Sequence, residues 1–163
     1  MIEDEIHIFN SAIVTFHAPS DISRITGMHC EHIQATSPWR KGPAHYDTIL
    51  VSTDPGIKGV HGFEIAHIFL FFSFRHQGKE YPCALVQWFF FLGLEPHEDT
   101  CFWLVEPDFN ANTGQPHITV IHVESIFRAI HLMPAHQNAG FINRLITMHT
   151  SLVNSSSSMS ITL

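Results

Sequence analysis

Charge is scarce in this chain, and positive charge scarcer still. Asp, Glu, Lys and Arg make up 14% of its 163 residues, with 8 Lys+Arg against 15 Asp+Glu and a net charge of −7 when histidines are neutral. Phosphate binding needs clustered cations whose attachment releases counterions, and the only adjacent basic pair is Arg40-Lys41. Autonomous nucleic-acid binding is therefore not expected. Cysteine is also sparse: Cys30, Cys83 and Cys101 are odd in number, widely spaced and without a C-x-x-C pair. That pattern is no disulfide framework and fits a reducing compartment. The opening Met1-Ile-Glu-Asp-Glu-Ile is acidic, where a secretory signal begins basic and a transit peptide is rich in Arg. An intracellular protein, nuclear or cytoplasmic and without a signal peptide, is the expectation. Long apolar runs are missing too. Ile68–Phe74 and Ala84–Leu94 fall far short of the ~20 residues that cross a bilayer, so they read as strands and not as transmembrane segments.

What the chain does have is apolar bulk. Hydrophobic residues make up 45% of it and 14 residues are Phe, enough buried area to offset ordering entropy and to form one core. One domain, residues 1–150, is expected, followed by a low-complexity, disordered tail over 151–163. So few charges leave a lone domain with apolar surface to cover, which a partner or a longer parent chain would relieve. The 14 histidines would offset negative charge as pH falls, but they are scattered, and ordinary polar positions describe them better than a pH sensor does.

The chain is organised around Phe63–Phe109. Two apolar runs flank His76-Gln77-Gly78-Lys79, where Gly admits the positive φ of a two-residue hairpin turn, predicting a long β-hairpin. Its first arm is bulky on both faces, as in a strand covered on both sides or curved into a barrel. Core strands are expected within 46–123: Tyr46–Thr53, the two hairpin arms, Cys101–Glu106 and Pro116–Val123. A first strand is expected over His7–Phe16. Residues 22–45 read as loop-rich, with a short helical turn around His29–Ala35. Ile126, Phe127 and Ile130 fall at helical spacing, predicting a short helix over 124–132 that ends before Pro134, and Phe141–Leu152 is a further candidate helical turn. The resulting fold class is α+β, mainly β: a curved antiparallel sheet or small open β-barrel with one or two short helices.

No catalytic constellation stands out. In His61-Gly-Phe-Glu-Ile-Ala-His67 the imidazoles are six apart, not the four that let a helix bring both to one zinc ion. On a strand, Glu64 points away from His67, and His61 lies ~20 Å from it. His29-Cys30-Glu31-His32 offers short-spaced ligands without the second pair that structural zinc sites use. Glu95, Glu98, Asp99, Glu106 and Asp108 are carboxylates of polar turns with nothing to fix a catalytic spacing. Neither a G-x-S-x-G elbow nor a Gly-rich phosphate loop is present. Trp88 and Trp103 sit within apolar strands, where core packing is the better reading than ligand stacking. Catalytic, cofactor-binding and metal residues are accordingly expected to be none, and cofactors none.

A run of motifs adds a resemblance. Phe16-His-Ala-Pro-Ser-Asp-Ile-Ser23, Gly27-Met28, Pro38-Trp39-Arg40, Tyr46-Asp47-Thr48, Phe71-Phe-Ser-Phe-Arg75, Tyr81-Pro-Cys-Ala-Leu-Val86, Val105-Glu-Pro-Asp-Phe109 and His131-Leu-Met-Pro134 occur in order. Together they resemble the uncharacterised C-terminal domain of transposon-encoded proteins of basidiomycete fungi, of the Plavaka-like transposase type, over roughly Thr15 to Pro134. The resemblance implies a non-catalytic accessory or interaction domain with a protein or chromatin partner, the catalytic DDE-type domain lying upstream in such proteins. It carries over no catalytic residue. The chain departs from the pattern at His29-Cys30, where two basic residues are expected, and at Phe89-Phe-Phe-Leu92, where polar residues are. Decay of CpG-containing Arg codons produces His and Cys, so a truncated, decaying transposon remnant is the expectation; close genomic copies that encode His throughout would refute it. The alternative from another class is a metal-dependent hydrolase or nuclease using His and Asp/Glu residues.

Overall fold

The expected hairpin is the longest feature of the fold. In the computed structural model, which describes residues 5–17, 28–38, 42–54, 56–57, 59–99, 101–136, 142–147 and 160–162, β6 (Phe63–His76) and β7 (Lys79–Phe91) pair from His76↔Lys79 to Ile65↔Phe89. Gln77 and Gly78 take φ of 51° and 76°, the doubly left-handed pair of a type I′ turn, whose twist matches that of the strands it joins. The register shifts once, between Ile68↔Val86 and Leu70↔Leu85, so Phe69 is an extra, bulged residue. The bulge has a packing consequence. Ile68 and Phe71, three apart, both enter the same core, whereas an unbroken period of two would point them to opposite faces.

Ten further strands complete two antiparallel sheets. They are β1 (Ile6–Phe9), β2 (Ser11–His17), β3 (Met28–Thr36), β4 (His45–Tyr46), β5 (Thr48–Ser52), β8 (Trp103–Pro107), β9 (Ile118–His122), β10 (Ile126–His136), β11 (Ile142–Thr147) and β12 (Ser160–Thr162). The larger sheet runs β1-β6-β5-β10-β11-β8-β7-β9 and the smaller runs β12-β2-β3-β4. Because β6 also pairs β7, the larger sheet must curl strongly, yet β1 and β9 stand at open edges and the sheet is not closed into a barrel. The mainly β, antiparallel expectation is met.

Two cores follow from this curvature. Between the sheets lie Val14 and Ile33 from the small sheet with Ile49, Ala66, Ile68, Phe71, Val86 and Ile126 from the large one. On the other side, under the curled β8 and β10, lie Leu50, Ile65, Phe89, Val105 and Ile130. Each buried Val, Leu, Ile or Phe among them contributes about 1.5–3 kcal/mol relative to exposure. Neighbours on β5 and β6 therefore serve different cores, which is why both faces of these strands are apolar.

The sequence expectations are corrected at several points. Residues 124–132 form no helix: a single 3₁₀ turn over Val123–Ser125 leads into strand β10. The helical spacing there has another origin, a register shift between Ile126 and Arg128 that sends Ile126 to one core and Phe127 and Ile130 to the other. Within the segment read as loop-rich, Met28–Thr36 is a nine-residue strand, not a helical turn. Among its described side chains Ile33 and Ala35 mark the buried face, and seven pairings with β2 supply the rest of its definition. Ile142–Thr147 is likewise a strand, paired on both sides by β10 and β8. The first expected strand is two, parted at Asn10, whose carbonyl accepts from Ala35 N as the chain passes from the large sheet to the small one. From the tail, Ser160–Thr162 pair with β2, while 151–159 lie outside the described residues, as do 22–27 and 39–41. Among the described residues no helix is long and apolar enough to cross a membrane.

Candidate functional site

The residues singled out by motif do not converge. His61 sits in a 3₁₀ turn with its ring edge-on to Trp103, centroids 5.6 Å apart, whereas His67 lies on β6 with Nδ1 3.2 Å from Thr48 Oγ1. Glu64 projects from the opposite face of β6, as strand alternation requires. His29, Cys30, Glu31 and His32 alternate across β3. Cys30 Sγ lies 3.7 Å from Thr15 Oγ1, His29 packs its ring on Phe16, and Glu31 Oε2 accepts from Ala129 N at 3.2 Å. Cys83 is buried in β7 and Cys101 is exposed in a turn, so neither supplies the missing ligands. Burial pushes the Cys83 thiol above its ordinary value. Among the described residues no three His, Cys, Asp or Glu are grouped to hold a metal ion.

Two surfaces do gather residues. The first is the uncovered half of one face of the hairpin. Direct pairing places Ile6, Phe74 and Tyr81 in one row, Ile8, Phe72, Cys83 and His122 in the next, and Leu70, Leu85 and Val120 in a third. Partners directly opposite in a ladder share a face, so these ten side chains form one patch across β1, β6, β7 and β9. None of the ten is Asp, Glu, Lys or Arg; charge stands at the margins, with Lys79 Nζ 5.3 Å from the Tyr81 ring centroid and Glu124 Oε2 3.7 Å from His122 Nδ1. Toward β8 and β10 the same face is buried as the second core; here it stays open, with Ile8 65% and Val120 54% exposed. Phe72, Phe74 and Tyr81 stack along it at 6.5 Å and 5.3 Å between centroids.

The second is a cleft of about 390 Å³ on the reverse face, lined by Glu64, Trp88, Phe90, Asp108 and His117 together with the chain at Phe89 and Phe91. The ladder that ends at Ile65↔Phe89 sets Glu64 beside Phe90, and Glu106 stands across the ladder from Phe90, outside the lining. Trp88 donates its indole N–H to Thr119 Oγ1 at 2.7 Å, which fixes the ring. Its backbone is gripped on the other edge: Trp88 N donates to His117 O and Asp108 N to Trp88 O. His117 Nδ1 lies 2.7 Å from Asp108 Oδ2. Of the five carboxylates weighed by sequence, only Asp108 lines this cleft. Glu64 and His117 join it through pairing with distant strands.

Protein-family models, curated proteins and solved structures offer no match to this chain. Trp103 is packed into the second core, against Phe91 at 5.2 Å, as its apolar setting predicts. Trp88 has two roles, packing against the first core and lining the cleft.

Proposed function

We propose that this chain is a non-catalytic accessory and interaction domain of the transposable-element type it resembles, acting inside the cell by docking on the catalytic transposase polypeptide. The observation that supports this reading is the uncharged patch of β1, β6, β7 and β9. An open sheet face of nine mainly large apolar side chains around the buried Cys83 exposes area that a monomer gains by burying. Its four strands at ~4.8 Å spacing and five residues at ~3.3 Å per residue span roughly 19 by 17 Å, the size of a small, transient protein contact. An apolar protein surface is the matching chemistry, because burying a charged or phosphorylated partner on it would leave those charges unpaired.

The test is co-purification of the chain with the polypeptide encoded by the frame immediately upstream in its genome. Ile8→Glu and Val120→Glu place charges on the patch at positions already mostly exposed, so the fold tolerates them. Retention of the upstream polypeptide by the wild-type chain and its loss with the double variant is expected. Equal retention by both, or retention by neither, would overturn the proposal.

A further inference from the structure

Beyond the apolar patch, the cleft on the reverse face has its own chemistry. Trp88 and Phe90 line it, the latter 44% exposed. Glu64 and Asp108 line it too, with Glu106 directly across the ladder from Phe90. Among the described residues no Lys or Arg lines it, and Glu64 takes part in no ion pair.

Aromatic rings on a surface stack on a nucleic-acid base or hold a cation over a π face, and the neighbouring charge decides which. Base stacking comes with a cationic groove that tracks phosphates, and here carboxylates would repel them. The π faces and the carboxylates both attract a cation. We propose that this cleft binds the ammonium group of a lysine side chain presented by a basic peptide. Trp88 is suited to the purpose because its indole N–H is committed to Thr119 and its packing against the first core leaves it half-buried, so the ring is held in place where it lines the cleft. Asp108 is steadied by His117 at 2.7 Å, so one carboxylate is oriented and Glu64 is left to meet the charge. Free and methylated lysines share this chemistry; a methylated ammonium relies more on the rings, an unmethylated one more on the carboxylates.

The full chain, isotopically labelled, is titrated with three short capped peptides alike except at one central residue: lysine, trimethyl-lysine or the uncharged norleucine. The indole N–H resonance of Trp88, assigned by its disappearance in Trp88→Phe, and the Phe90 amide are followed. Saturable shifts with at least one cationic peptide, ~10-fold tighter than with norleucine, are expected, and the stronger of the two identifies the form bound. Glu64→Gln and Phe90→Ala, both at exposed positions, should each weaken that binding several-fold while the chain stays folded, with only a small change in unfolding midpoint. Absence of saturable shifts, equal binding of norleucine, or binding indifferent to both substitutions would overturn the inference. Ile8→Glu and Val120→Glu lie on the opposite face and leave this titration unchanged, so failure of the patch and failure of the cleft are separately visible.

Discussion

Glu31 on β3 accepts a hydrogen bond from the backbone N–H of Ala129 on β10, 98 residues away, at 3.2 Å. It joins the small sheet to the large one where β10 has just passed its register shift. A bulge disturbs regular ladder pairing, and the carboxylate supplies an acceptor beside it.

Removing that acceptor leaves a half-buried N–H to find another partner. Glu31→Ala is expected to cost about 1–3 kcal/mol, read as a lower urea midpoint at unchanged slope, while Glu31→Gln, which keeps an acceptor oxygen, costs less. Equal midpoints for Glu31→Ala and wild type would mean that water replaces the bond.

The hairpin turn gives a second pair of outcomes. Gln77 occupies a left-handed position that Asn tolerates better, so Gln77→Asn should raise the thermal midpoint slightly. Gly78→Ala puts a Cβ on a backbone at φ 76° and should cost about 1–2 kcal/mol, although the added methyl meets nothing within 4 Å. The penalty is conformational, and thermal unfolding of the two variants side by side measures it.

Adjacent phenylalanines should behave unlike one another. Phe89 is 6% exposed and belongs to the second core, so Phe89→Ala should cost about 3–5 kcal/mol. Phe90, on the other face and 44% exposed, should cost below about 1 kcal/mol when replaced by Ala. Denaturant unfolding of both variants checks this, and similar losses would contradict the register at Ile65↔Phe89.

Cys83 makes stability depend on alkaline pH. Burial raises its thiol above the ordinary value of 9.0, so the unfolded chain releases this proton first as pH rises. The contribution is whole below about pH 9 and is lost as pH climbs through the folded value. Between about pH 8 and pH 10, Cys83→Ala should lose less stability than wild type, which isolates the thiol from Lys and Tyr titration. With a thiol reagent in native buffer, the exposed Cys30 and Cys101 should react fast and Cys83 only through opening.

Local chemistry was enough to read the hairpin, because Gly78 and two flanking apolar runs act over a few residues. It was not enough for β3 or β10. β3 carries two buried apolar residues, Ile33 and Ala35, and becomes a strand by pairing with β2. In β10, a bulge made a two-core strand look like a helix, since Ile126 and Ile130 fall four apart in either case. The cleft was hidden for a similar reason. Counting back from the Gln77-Gly78 turn pairs Glu64 with Phe91, and the extra residue at Phe69 shifts it to Phe90 and onto the face that Trp88 shares.

The sequence by itself determined a mainly β chain rich in apolar bulk and the place of its central turn. These are properties of composition and of neighbours along the chain. Tertiary structure alone decided which face of each strand is buried and which carboxylates meet Trp88 and Phe90. The side-chain period of a strand is two, so each single-residue bulge reverses every position beyond it, and bulges are fixed by packing between strands far apart in sequence.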